Sequence, residues 1–305
     1  MVAAVVAALV WAVDGVLAAW APNALPVDPR ATTFLAAAAG VLAALSALAV
    51  FSARLRPVAP WSALGGLWFL AWELATAKSG LAKPPYFAAP QDLLAQFWRY
   101  RALLAESFAN SLQLLVLGFL LGAAVGVLTG TAMGWSKRTD YWLHPVIQFI
   151  GPVPALAWVP IIFVLFPTSY SGAVFLIALA VWFPVSVLTR AGVASVPRSY
   201  YDVAQTLGAS TAFQIFRIAL PSALPSIFTG LFMGLGVSFV SLTVAENFGV
   251  NSGLGWFILW QKGWSAYPAM YAAILLMVLF CGGLMTLLLR IRSRALRWQK
   301  DLVRW

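Results

Sequence analysis

Charge is what this sequence has least of. Lys, Arg, Asp and Glu together make up 9% of 305 residues, against 62% hydrophobic types, which leaves too little polar surface to coat a soluble globule. Acids and histidine are scarcer still, at nine Asp+Glu and one His. No Ser/His/acid or paired-carboxylate set stands at catalytic spacing, which argues against an enzyme. The single cysteine, Cys281, lies in an apolar run. It can form neither an intrachain disulfide nor a metal site alone, and reads as packing. The single histidine, His144, stands beside Pro145 where an apolar run begins, and reads as interfacial. No metal chemistry is expected. No G-x-x-x-x-G-K-[ST] pattern occurs, since Gly134-Trp135-Ser136-Lys137 does not supply it, so a nucleotide-cradling loop of that kind is excluded.

What the chain has instead is long apolar runs. They fall near residues 2–21, 32–52, 61–77, 110–134, 143–166, 171–189, 222–246 and 269–289, about eight helices of the roughly 20 residues that cross a bilayer. A β-barrel would show short alternating strands instead. The first run contains Asp14 and resembles a signal peptide in length, but it lacks a basic leading region and is read as a helix. The net charge of +10 sits between and after the runs rather than in one patch with aromatics, so topology explains it better than nucleic acid does. With eight spans, Arg54 and Arg56, Lys137 and Arg138, Arg190 and Arg198, and the tail Arg290, Arg292, Arg294, Arg297, Lys300 and Arg304 share one side. The excess of basic residues makes that side cytoplasmic, with both termini there. Lys78, Lys83, Arg99 and Arg101 in the opposite loop are a partial exception.

Several features lie within or between the runs. Residues 78–109 read as an extended stretch followed by an amphipathic helix carrying Leu93, Leu94, Phe97 and Trp98, serving either to pack on the bundle's rim or to contact an external partner. Gly118, Gly122, Gly126 and Gly130 recur every four residues, a stripe that lets helices approach closely. Pro152, Pro154 and Pro160 imply an irregular or kinked fifth span, and irregular backbone at membrane depth is tolerated where it lines a cavity. Pro154, Trp158 and Trp182 are accordingly candidates for a translocation path. Glu246 is a candidate too, as a gate or as a structural partner, because an ionised group there is costly unless paired or wet. Glu73 reads as structural.

The most informative stretch is the polar interruption from Val196 to Ser210. Ser195 can cap a helix, Pro197 suits its first turn and Gly208 suits its stop, while Tyr200, Val203, Ala204 and Leu207 follow helical spacing along one face. A second short helix begins at Ser210, runs through Phe213 and Phe216, and is expected to break at Leu220-Pro221. Two short helices with exposed apolar faces are marginal alone, so this elbow implies a partner surface.

These residues resemble the EAA motif of binding-protein-dependent ABC importer permeases, the nitrate, sulfonate, taurine and bicarbonate type being most similar. Asp202-Val203-Ala204, Gly208 and Ile218-Ala219-Leu220-Pro221 stand at the motif's spacing, with Asp in place of Glu and Val in place of the first Ala. Asn110-Ser111-Leu112, the stretch from Pro152 to Pro160, Pro225 with Thr229-Gly230-Leu231, and Glu246 followed by Ser252-Gly253-Leu254-Gly255 extend the resemblance from about Pro90 to the C-terminus. It implies an all-α type I importer transmembrane fold, with residues 1–57 as an extra helix pair and 58–305 as the permease domain. Coupling helices near 197–215 would present Tyr201, Asp202, Ala204, Leu207, Gly208, Ile218, Leu220 and Pro221 to cytoplasmic ATP-binding subunits. ATP and Mg would be bound by those subunits and no cofactor by this chain. A periplasmic or extracellular solute-binding protein, a second permease copy and the lipid bilayer complete the partners, and nucleic acid is not one. The implied place is a bacterial inner membrane, and the implied cargo an oxyanion or sulfonate-like anion. The alternative is a secondary transporter or channel, which would need an intramembrane relay of ionisable residues that the runs scarcely offer.

Overall fold

The computed structural model describes residues 2–52 and 55–299; Arg54, Lys300 and Arg304, used above for orientation, lie outside them. Every regular element among the described residues is a helix. In chain order these are α1 (Val2–Trp20), α2 (Pro29–Phe51), α3 (Ala59–Glu73), α4 (Pro90–Arg99), α5 (Arg101–Trp135), α6 (Lys137–Ile150), α7 (Ala155–Leu165), α8 (Ser169–Ala194), α9 (Arg198–Thr206), α10 (Thr211–Gln214), α11 (Leu220–Ala245), α12 (Leu254–Gly263) and α13 (Tyr267–Ala295). Among the described residues six stretches are long and apolar enough to span a membrane: α1, α2, α5, α8, Thr211–Val250 and α13. The expected run 61–77 is α3 extended by a π turn, Leu74–Lys78. The chain divides into two compact units, Met1–Leu104 with Ile258–Leu275, and Ala105–Phe257 with Leu276–Trp305.

In the first unit α1 packs against α2 and α3, and α2 against α4. Small residues make the approach close: Ala4, Ala7, Ala18, Ala39 and Ala49 are buried, and a Cβ on Gly66 would lie 2.8 Å from Val10 Cγ1. Trp11 Nε1 donates to the carbonyl and the hydroxyl of Ser62, each at 3.1 Å. The expected amphipathic helix is α4, whose Asp92 Oδ2 accepts from the Ala89 N–H at 3.3 Å; burial pushes the Asp92 carboxyl above its usual range.

The second unit is organised around α8. Gly118, Gly122, Gly126, Gly130 and Gly134 on α5 face Ile177, Val181, Val185, Thr189 and Val193 on α8, one residue per turn on each helix in the same sequence direction. The two helices therefore run parallel with their backbones in contact. A Cβ on Gly126 would fall 2.8 Å from Val185 Cβ, and one on Gly134 2.6 Å from Val193 Cβ. On α11 the order reverses: Ser226 meets Gly192, Gly230 meets Val185 and Gly234 meets Val181, so α11 runs antiparallel to α8. This order brings the basic groups at 137–138 and 190–198 to one end of the unit.

The irregularity expected in the run 143–166 is a bend of 104° between α6 and α7, across Gly151–Pro154. Pro152 and Pro154 donate no hydrogen bond and disfavour helix in the residue before them, so a straight helix cannot continue there. One expectation is corrected: the chain does not break at Leu220-Pro221. The Leu220 N–H reaches back to the Ile215 carbonyl, and this π turn, Ile215–Ala219, makes room for the Pro221 ring, so the helix continues through it.

The glycine contacts generate a test. Gly126→Val should cost at least about 1–3 kcal/mol through overpacking against α8. Gly282→Ala, where a Cβ meets nothing within 4 Å, should stay within roughly 0.5 kcal/mol of the parent protein. Thermal unfolding of both variants in detergent is the measurement.

Candidate functional site

The connection between α8 and α11 forms a bent elbow. Pro197 is the N-cap of α9 rather than its first residue, and Ser195 caps nothing there, because its hydroxyl donates to the Gly192 carbonyl at 2.8 Å. Gly208 adopts φ +78°, the left-handed stop that glycine takes without strain. Ser210 Oγ then accepts from the Phe213 N–H at 3.3 Å to start α10. The buried Gln214, which sequence reading passed over, closes the bend by donating to the Ala209 carbonyl at 3.1 Å.

The elbow has two faces. Tyr201 and Ala204 turn inward: the Tyr201 ring meets Trp135 edge-on at 5.3 Å, and with Leu220 it packs on the cluster of Val193, Ala219, Ala223 and Ile227. Burial pushes the Tyr201 phenol upward. Outward, Tyr200, Val203, Leu207 and Phe213 are exposed, Leu207 at 82%. They border a groove with Gly208 and Ile218. Asp202 is exposed and lines a separate depression with Lys137, Arg190 and Arg198. There Arg190 grips Asp140 with two parallel bonds, Nε to Oδ1 and Nη2 to Oδ2 at 2.7 Å, which ties α6 to α8. Pro221 sits just past the π turn.

Of the pathway candidates, the structure brings Pro154 and Trp158 together in a cavity of about 530 Å³. The cavity opens at the α6–α7 bend and is walled by Phe183, Pro184, Met233 and Val237, with no charged side chain in its lining. Gly151 lies against the Phe183 ring, so any side chain there would collide with it. Met233 and Gly236 were not legible beforehand, because nothing in α11 distinguishes them until the bend is placed. Trp182 is directed elsewhere, donating from Nε1 to Thr129 Oγ1 at 3.0 Å, with Thr129 also 2.8 Å from the Ser186 hydroxyl.

Glu246 is not in the cavity either. Its carboxylate accepts from Ser111 Oγ at 2.5 Å, from the Gly255 N–H at 2.6 Å and from the Trp256 N–H, while Ser111 Oγ accepts from the Leu254 N–H at 2.9 Å. The pair thus satisfies the free N–H groups that open α12 and fastens that end to α5. Gly253 and Gly255 leave room for it; a Cβ on Gly255 would lie 2.7 Å from Oε2. Ser111→Ala should therefore cost roughly 1–3 kcal/mol by orphaning buried partners, read as a lowered thermal midpoint with the membrane-inserted yield unchanged.

Comparison with known proteins places these features. Residues 118–298 match the family described as binding-protein-dependent transport system inner membrane component. The chain is 31% identical over 248 residues to a putative aliphatic sulfonates transport permease of Bacillus subtilis, covering 80% of this chain and 85% of that protein. It is 29% identical to the nitrate import permease of Synechococcus elongatus, covering 71% of this chain and 79% of the relative. It is 32% identical to the taurine transport permease of Escherichia coli, covering 61% and 70%. Among solved structures, an amino acid ABC transporter crystallised with histidines aligns with TM-score 0.53 at 18% identity, covering 67% of this chain and 97% of that one. An inward-facing methionine ABC transporter aligns with TM-score 0.52 at 18% identity, covering 66% and 98%. This all-helical, multi-pass chain belongs to the binding-protein-dependent ABC importer permeases, whose ATPase is a separate subunit.

Proposed function

We propose that this chain is the inner-membrane permease of an ATP-driven importer and that its elbow, residues 197–215, docks on a cytoplasmic ATPase subunit. The observation that carries the reading is the outward face of α9, where Tyr200, Val203 and Leu207 stand 56%, 60% and 82% exposed on a nine-residue helix. Such a helix is not stable alone, and an apolar face of this kind in the aqueous phase needs a partner. Because α9 is anchored through Tyr201 and Ala204 between the ends of α5, α8 and α11, a push on it is delivered directly to the spanning helices. ATPase closure would then shift the pathway between outward and inward openings, biased from the other side by loaded solute-binding protein. ATP and Mg belong to the ATPase, and this chain holds no cofactor of its own. The parallel α5 and α8 put the basic groups at 137–138 and 190–198 on one end, which supports a cytoplasmic elbow. One elbow per chain supports a pathway built from two copies. The family match covers residues 118–298, which is consistent with reading residues 1–57 as an extra N-terminal helix pair outside the permease domain.

The cargo we infer is a small anion with an organic body, such as a sulfonate. Permeases named for sulfonates, taurine and nitrate are among the relatives. The cavity at Pro154 and Trp158 offers aromatic and aliphatic walls but no cationic side chain. Charge recognition then falls to helix N-termini or to the binding protein. Titrating the partner solute-binding protein with taurine, an alkanesulfonate and nitrate should show tightest binding to the sulfonates; affinity for a polyamine with none for any oxyanion would overturn this inference.

The coupling role is tested on the elbow. Leu207→Arg should insert normally yet fail to co-purify with the ATPase, and ATP-dependent uptake should fall by about tenfold or more, equivalent to roughly 1.4 kcal/mol. Gly208→Val should be impaired and Gly208→Asn largely tolerated. A Cβ there meets nothing within 4 Å, so the whole penalty is the left-handed backbone, about 1–2 kcal/mol for a non-glycine residue and least for Asn. Normal uptake by Leu207→Arg would refute the docking assignment.

A further inference from the structure

The first unit contains a polar cluster that import by the second unit does not use. Asp14, the thirteenth of nineteen residues in α1, is fully buried at 0% exposure, and neither of its carboxylate oxygens has a hydrogen-bond partner. Glu73, at the end of α3, is buried as well, within range for the two carboxylates to repel one another. Glu73 Oε1 accepts from Gln91 Nε2 at 3.0 Å and lies 3.8 Å from Lys78 Nζ; Oε2 is unpartnered. Gln91 is itself fully buried, and while its amide nitrogen donates to Glu73 its carbonyl oxygen has no partner.

Two facts about this cluster favour a positively charged occupant. The unsatisfied atoms, Asp14 Oδ1 and Oδ2, Glu73 Oε2 and Gln91 Oε1, are all acceptors. The donor atoms nearby already have acceptors: Lys78 Nζ donates to the Ala21 carbonyl at 2.8 Å, Thr76 Oγ1 to the Trp72 carbonyl at 2.7 Å and Trp11 Nε1 to Ser62. In charge, Lys78 balances one carboxylate and leaves the other uncompensated in a low-dielectric interior, which costs far more than a neutral or paired arrangement. Intramembrane acids without partners mark ion or proton sites.

We propose that Asp14, Glu73 and Gln91 form a buried site for one monovalent cation, whose single positive charge brings the cluster to neutrality. A proton on the Asp14–Glu73 pair and a sodium ion among the four free oxygens supply the same charge. The site is built from residues of the first unit, whereas the elbow and the cavity are built from the second, and it goes beyond the import function proposed above.

The test uses the full-length permease in lipid nanodiscs at neutral pH. Infrared spectroscopy reads the carbonyl stretch of a protonated carboxylic acid, and retained radioactive sodium reads the metal ion. If the occupant is a proton, an acid band appears in the wild type, shifts on labelling with carbon-13 aspartate or glutamate, and is lost or shifted in Asp14→Asn. If it is sodium, no such band appears, about one sodium is retained per chain, and Asp14→Asn abolishes that retention. Should Asp14→Asn fail to insert, the isotope shift and the sodium count on the wild type still decide. Neither an acid band nor bound sodium in the wild type overturns the proposal, as does an acid band that is unchanged in Asp14→Asn and lost in Glu246→Gln.

Discussion

Hydrocarbon does not drive apolar helices together, because lipid tails are as good a neighbour as leucine; contact in a membrane depends on close van der Waals fit and on hydrogen bonds. The glycine row of α5 against Ile177, Val181, Val185, Thr189 and Val193 supplies that fit along five turns of α8. Gly192, Gly230 and Gly234 repeat it between α8 and α11. With α8 gripped on two sides, the elbow between α8 and α11 has fixed ends. The same framework carries the Asp140–Arg190 pair that ties α6 to α8 and the Ser111–Glu246 cap on α12.

In the second unit the α6–α7 bend and the π turn before Pro221 sit against that framework. In a bilayer each unpaired N–H or C=O is expensive, so bends are tolerated only where protein or a water-filled cavity surrounds them. The 104° bend between α6 and α7 is lined by Phe183, Pro184 and Met233 and creates the cavity there. The π turn before Pro221 keeps α10 and α11 one continuous lever. A movement of α9 would therefore travel along α11 past Met233, Gly236 and Val237, which wall the cavity. That continuity connects docking to the pathway by mechanics rather than by any chemistry of this chain.

Much of this was legible in the sequence because membrane physics leaves few choices. Runs of about 20 apolar residues cannot fold otherwise, glycine at every fourth position has one obvious use, and Gly208 behind a short amphipathic segment marks a stop. Less legible was anything decided by contacts distant in sequence. Glu246 could be a gate or a strut until Ser111 and the amides of Gly255 and Trp256 were found around it. Trp182 resembled a pathway residue from its neighbours, yet its indole is spent on Thr129. Pro221 suggested a break because proline usually makes one, and the π turn that accommodates it has no sequence signature. Asp14 stood out only as an interruption, since the Glu73 carboxylate whose charge it feels lies on α3, more than fifty residues away.

The central claim is that energy enters from ATP through a partner beneath the membrane and not from an ion gradient. It is tested most directly by uptake of labelled substrate into proteoliposomes holding this permease, its ATPase and its solute-binding protein. Accumulation should require ATP inside the compartment on the elbow side and persist when ionophores collapse the proton and sodium gradients. Accumulation without ATP that disappears with either gradient would contradict the account.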